Sequence, residues 1–69
     1  MYEILTYYHN GKQTRNVFRD LEACSRRMHV IFNYHKYNFH FVEVTDDGAY
    51  VFSFQDANFR TSYIYVGKF

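Results

Sequence analysis

Sixteen of the 69 residues are aromatic, eight Phe and eight Tyr, and the chain has neither Trp nor Pro. A chain of this length builds one core, and a domain of its size buries only about 60% of the surface its unfolded chain exposes. Sixteen rings cannot all enter that core. Some must face water or a partner, which Tyr tolerates better than Phe because its hydroxyl stays hydrated. No motif for chemistry accompanies the rings, so their number points to binding.

Residues 1–69 are expected to form a single domain. The formal net charge is only +1, too small for a global field that draws the chain to nucleic acid or membrane. The charge is unevenly spread. Residues 1–36 carry six Lys and Arg against three acids, and residues 37–69 carry four acids against Arg60 and Lys68. Cys24 is alone, so no internal disulfide forms and a reducing cytosol is the simplest compartment. Met1-Tyr2-Glu3 lacks the regions of a signal peptide, and no apolar run reaches the roughly 20 residues of a membrane span. These features lead us to expect a cytoplasmic chain with no membrane partner.

Two dipeptides mark turns. Asn10-Gly11 lies between strand-like runs Tyr2–His9 and Lys12–Phe18, and Asp47-Gly48 lies between Asn38–Asp46 and Ala49–Gln55. Both suit a two-residue hairpin turn with positive φ. A third break at Asp56-Ala57-Asn58 leads into Phe59–Val66. Between the hairpins, Val17, Leu21, Cys24, Met28, Ile31 and His35 recur at spacings of three and four, one stripe of an amphipathic helix. Asp20 is the N-cap candidate, giving a helix of about residues 20–36 with Arg19 and Arg26 on its outer face. The fold class is α+β, a small ββαβββ domain in which one amphipathic helix packs on one face of an antiparallel sheet.

With Asp47-Gly48 as a two-residue turn, Phe41 pairs with Phe54, Glu43 with Phe52 and Thr45 with Tyr50. One face then carries Phe39, Phe41, Tyr50, Phe52 and Phe54, and the other His40, Val42, Val44, Val51, Ser53 and Gln55. The Phe face is expected to take the helix. Core positions are then Leu21, Cys24, Met28, Ile31, Phe32, Phe39, Phe41, Phe52, Phe54 and Ile64. The uncovered face shows Val42 and Val44 with Tyr63, Tyr65 and Tyr7. It is either an interaction surface or the inside of a sheet curled into a half-barrel.

The candidate chemical groups do not assemble into a motif. The four His and single Cys show no CxxC, HxxxH or HExxH spacing, so we expect no metal and no cofactor. Ser25 has no His and Asp at a recognisable spacing, and three glycines cannot build a phosphate-cradling loop. The chain is not expected to be an enzyme. Gly48–Phe54 superficially resembles an RNA-binding strand, but its aromatics fall out of register and a second helix is missing. Nucleic acid is the less favoured partner, reached through the helix arginines and sheet tyrosines.

In size, lone Cys, Tyr-rich surface and inferred architecture, the chain resembles the small early proteins of bacteriophages. These include anti-CRISPR proteins, restriction inhibitors and inhibitors of host RNA polymerase. The resemblance is of class only and carries no residue across. It implies a small inhibitor or adaptor, working in the host cytoplasm, that occupies a surface of a larger host or defence complex. The residues expected to contact a partner are Tyr7, Tyr63, Tyr65, Val42, Val44, Arg19, Arg26 and Arg27. The same uncovered face is also suited to pairing with its own copy as a homodimer.

Overall fold

The computed structural model describes residues 1–69. Along the chain it runs β1 (Tyr2–Tyr7), β2 (Gln13–Phe18), α1 (Leu21–His35), a 3₁₀ turn (Lys36–Asn38), β3 (Phe39–Val44), β4 (Tyr50–Gln55) and β5 (Thr61–Lys68). This is the expected ββαβββ order. All five strands join one antiparallel sheet in the order β2-β1-β5-β4-β3. The last strand lies in the middle and ties the two hairpins together, and the Met1 amino group donates to the Phe69 carbonyl at 3.2 Å. No helix is long and apolar enough to cross a membrane.

Helix α1 starts where its cap residue dictates. Asp20 is extended, and its Oδ1 accepts from the Ala23 N–H at 2.8 Å, satisfying one of the free donors of the first turn. The helix ends at His35, where the Lys36 N–H donates to the Phe32 carbonyl with Lys36 at φ 21°.

The turns differ from expectation by one residue. In the first hairpin the Tyr8 N–H donates to the Lys12 carbonyl and the Gly11 N–H to the Tyr8 carbonyl, so the loop is the three residues His9-Asn10-Gly11. Thr45 to Ala49 and Asp56 to Arg60 repeat the same pair of bonds. This is the three-residue loop, a type I turn closed by a residue in the left-handed region. That residue is Gly11 at φ 87°, Gly48 at φ 89° and, in the third loop, Phe59 at φ 61°.

The longer turn changes the register of β3. Val44 pairs with Tyr50 and Glu43 with Val51, and a bulge at Val42 then brings Phe41 opposite Phe52 and Phe39 opposite Phe54. The expected pairs of Phe41 with Phe54 and Glu43 with Phe52 are therefore corrected. Phe39, Phe41, Phe52 and Phe54 still share one face. Beyond the bulge the faces exchange: Val44 joins Tyr50 on the helix side, and Glu43 joins Val51 on the other.

The core is smaller than the apolar pattern suggests. Ile4, Thr6, Cys24, Val51, Phe54, Ser62 and Ile64 are the buried residues, and Met28, Ile31, Phe39, Phe52 and Val66 pack partly against them. Leu21, Phe32 and Phe41, expected inside, are 58%, 48% and 59% exposed. The reason is width. A helix is about 10–12 Å across, whereas four strand spacings of about 4.8 Å make this sheet roughly 19 Å wide. The link from β2 is only Arg19-Asp20, so α1 starts at the β2 edge and packs on β1 and β2. The outer part of the Phe face, on β3 and β4, is left without a roof.

Phe59 identifies where the backbone is strained. An L-residue in the left-handed region costs about 1–2 kcal/mol, and the ring is 81% exposed, so little packing offsets it. Replacing Phe59 by Gly relieves the strain against a smaller cost in chain entropy, for a net gain of about 0.5–1 kcal/mol. Urea melts of the wild type and Phe59→Gly should show the midpoint moving up. A lower midpoint would mean that the ring makes a stabilising contact.

Candidate functional site

The sheet and helix leave two apolar surfaces on opposite sides of the molecule. The first is the sheet face away from the helix. Cross-strand register stacks Leu5 against Tyr65 and Tyr7 against Tyr63, with Val51 on the other flank of Tyr65. Tyr7 and Tyr65 meet edge to face at 5.4 Å between ring centroids, and Tyr7 and Tyr63 are both exposed. The three tyrosines stand on β1 and β5, the central strands, which fixes their backbone from both sides. Val51 also faces this side, yet it is buried between Tyr65 and Glu43 in the register.

Arg15, opposite Leu5, lies on this same face. Its Nε donates to Glu3 Oε1 at 2.7 Å, and its guanidinium sits 4.9 Å from the centroid of the Phe69 ring. An arginine held flat by a carboxylate and a ring has lost part of its rotamer freedom before any partner arrives. The sequence pattern did not single it out for this surface. The alternation of β2, with Arg15 one residue from Asn16, contains the signal once the pairing of β1 is known.

The helix arginines do not share that face. Arg26 is tied to Glu22 at 2.8 Å on exposed helix surface, and Arg27 lies 6.0 Å over the Phe18 ring and beside Ile31 and His35. Arg19 is in the link before the helix. All three stand across the sheet from the tyrosines. The expected patch of Tyr7, Tyr63 and Tyr65 with Arg19, Arg26 and Arg27 is thus split between two sides. Val44, opposite Tyr50, faces the helix side and does not join the tyrosines, and Val42 is the bulge residue of an edge strand that β4 separates from β5. The dispersal of Arg15, Arg19, Arg26 and Arg27, two of them ion-paired, offers no single track for a phosphate backbone.

The second surface is a groove of about 430 Å³ between α1 and the unroofed strands. Its helix wall is Leu21, Met28 and Phe32, its floor Phe39, Phe52 and Val66, and Cys24 lies at its back. Ser25 and His29 supply the only polar lining. Rings run along it in sequence: Phe32 meets Phe39 at 5.6 Å, Phe39 stacks on Phe52 at 5.1 Å, and Phe52 meets Phe41 at 5.8 Å. Phe41, Val44 and Tyr50 form an exposed shelf beyond the groove. Burial pushes the Cys24 thiol above its ordinary pKa, which keeps it protonated and unreactive.

The remaining titratable groups are placed by the loops. Asp56 Oδ1 accepts from the N–H groups of Asn58 and Arg60, its Oδ2 accepts from Arg60 Nε at 2.8 Å, and His9 Nε2 lies 3.5 Å away. The Arg60 N–H is the main cause that holds this carboxyl below the usual range. Asp47 is lowered chiefly by the Thr45 hydroxyl, which donates to it within the second turn. His29 lies in the groove, His40 on the opposite sheet face, and His35 against Phe54, so the histidines occupy separate places. Comparison with protein-family models, with curated proteins and with solved structures finds no match for the chain.

His35 caps the core at the end of α1. Its ring stacks on Phe54 at 4.0 Å, and burial lowers its pKa from the ordinary 6.5. The fold therefore favours the neutral ring, and the unfolded chain binds the proton more readily. The contribution is whole above pH 6.5 and is lost as pH falls through the lower folded value. His35→Gln should be less stable than wild type at neutral pH, with the gap closing below pH 6.5. Urea melts across that range check it, and a gap independent of pH would assign the cost to lost stacking alone.

Proposed function

We propose that this chain is a non-enzymatic protein-binding module, a small inhibitor or adaptor that works by occupying a surface of a larger partner. The observation that carries this reading is the face of Tyr7, Tyr63 and Tyr65 with Arg15 beside them. Tyr and Arg are enriched among the residues that dominate binding energy, and Tyr is immobilised at low entropic cost. The rest of the molecule is consistent with a rigid support for them. No buried side-chain polar atom lacks a hydrogen-bond partner, and each hairpin is closed by its own pair of backbone bonds. The class resemblance to phage proteins that block host or defence complexes, such as anti-CRISPR proteins, accords with this mode of action.

Affinity capture from a host-cell lysate, followed by mass spectrometry, is the test. One stoichiometric protein should be recovered, and Tyr63→Ala should weaken its capture by about 1 kcal/mol or more, roughly fivefold in affinity. Tyr63 is half exposed, so its truncation should leave the urea midpoint nearly unchanged. Recovery of nucleic acid alone, or undiminished capture by Tyr63→Ala, would reject the reading.

A further inference from the structure

We propose that the open edge of β2 takes an extended segment of a partner protein, with acidic residues at both its ends, as a sixth strand of the sheet. The proposal rests on the reading of the chain as a protein-binding module and names the chemistry of the segment bound.

The two edges of the sheet are built differently. β3 is interrupted by the bulge at Val42, a device that spoils an edge for further pairing. β2 runs over Gln13–Phe18 in unbroken register with β1 and holds no Pro. Its one charge, Arg15, is turned to Glu3 and the Phe69 ring. The hairpin sets the direction of its backbone groups. Tyr8 and Lys12 are a hydrogen-bonded pair, since the Tyr8 N–H donates to the Lys12 carbonyl. Such pairs alternate along an antiparallel ladder, so Thr14, Asn16 and Phe18 bond inward to β1. Gln13, Arg15 and Val17 therefore turn their N–H and C=O groups to the open side, in the spacing that an added strand matches. The side chains of these same residues lie on the tyrosine face, opposite Tyr7, Leu5 and Glu3, so an added strand would continue that face.

Charge selects the occupant. Lys12 lies just before β2 and Arg19 just after it, and Arg27 sits 6.0 Å over the ring of Phe18, the last residue of the strand. None of the three has an ion-pair partner within the chain. The neighbouring carboxylates are engaged elsewhere: Glu3 by Arg15, Asp20 by the Ala23 N–H and Glu22 by Arg26. Free cations thus mark both ends of the edge. Lys12 and Arg19 stand about 23 Å apart along an extended chain, the reach of a segment of about eight residues. Acids at the two ends of that segment complement them.

Other occupants fit less well. An antiparallel pair of β2 strands centred on Arg15 would set the two Arg15 opposite each other and each Lys12 beside the other copy's Arg19. A phosphate backbone suits the cations but brings no donors for the outward carbonyls of Gln13, Arg15 and Val17.

The probe is a synthetic peptide of about eight residues, Thr and Val alternating, with Glu at both ends. Titrated into the intact isotope-labelled chain, it should shift the amide resonances of Gln13, Arg15 and Val17 most, and those of Thr14 and Asn16 less. The same peptide with Lys in place of Glu should leave them unmoved. Val17→Pro removes one outward donor and keeps every β1–β2 bond, so it should weaken peptide binding about tenfold or more. Lys12→Glu and Arg19→Glu leave the strand itself untouched, and each should weaken binding about threefold to tenfold. No shift of the β2 amides at peptide concentrations on the order of millimolar overturns the proposal, as does equal binding of the Lys-ended peptide. A single-stranded oligonucleotide that binds where the acidic peptide does not would assign the cations to phosphate and overturn it too. Capture through Tyr63 is read separately. Peptide binding with capture undiminished by Tyr63→Ala rejects the tyrosine face alone, and weakened capture with no peptide shift rejects the edge alone.

Discussion

The helix of this protein is narrower than the sheet it must cover, and most of the molecule's character follows from that mismatch. Fifteen residues of helix present one stripe, about 10 Å wide, to five strands. The stripe goes where the two-residue link from β2 sends it, onto the β2 side of the sheet. Cys24 on the stripe and Ile4, Phe54 and Ile64 beneath it form the sealed core. On β3 and β4 the same Phe pattern that elsewhere makes core makes open surface instead. Had the link been longer, α1 could have centred on β5, and the groove would have been shared thinly between both edges.

The tight hairpins make this arrangement possible. Three loops of identical geometry connect β1 to β2, β3 to β4 and β4 to β5. The first two each add a residue to the two-residue turn that Asn-Gly or Asp-Gly alone suggests. In the second hairpin that extra residue would turn the Phe set of β3 toward the wrong face along its whole length. The bulge at Val42 restores it, so Phe39 and Phe41 remain with Phe52 and Phe54. The same bulge disturbs an edge strand that would otherwise offer a regular row of unpaired backbone groups to other chains. One irregularity thus maintains the aromatic face and discourages pairing at the edge.

Local signals in the sequence were readable because they act locally. Asp20 caps because its carboxylate reaches the Ala23 N–H three residues on, and the order ββαβββ follows from runs bounded by turn residues. The tyrosine face was readable as alternation along β5 and β1. The extent of the core was not, because burial of Leu21, Phe32 and Phe41 depends on where the helix lies across the sheet, a quantity no periodicity encodes. The pairing of Arg15 with Glu3 and its stacking on Phe69 join three distant parts of the chain, visible only once β5 is known to run beside β1. Val44 changed sides for a similar reason: the extra turn residue that moves it is compensated two residues earlier, by the bulge at Val42, and leaves no compositional mark.

A chain that buries seven residues has little stability to spare, and this bears on how its surfaces work together. Any ligand that binds only the folded state adds stability in proportion to the logarithm of its concentration over its dissociation constant. Closure of the groove by a binding partner would therefore act as a second layer of core, supplied by concentration and not by chain length. It would rest on Phe32, Phe39 and Phe52, rings already in contact with one another, and so ask little further ordering of the interior. The tyrosines are carried on β1 and β5, which both flank and underlie that core, so strengthening it stiffens the face opposite. On this arrangement, the apolar surface that leaves the isolated chain with a small core would also steady the tyrosine face once covered.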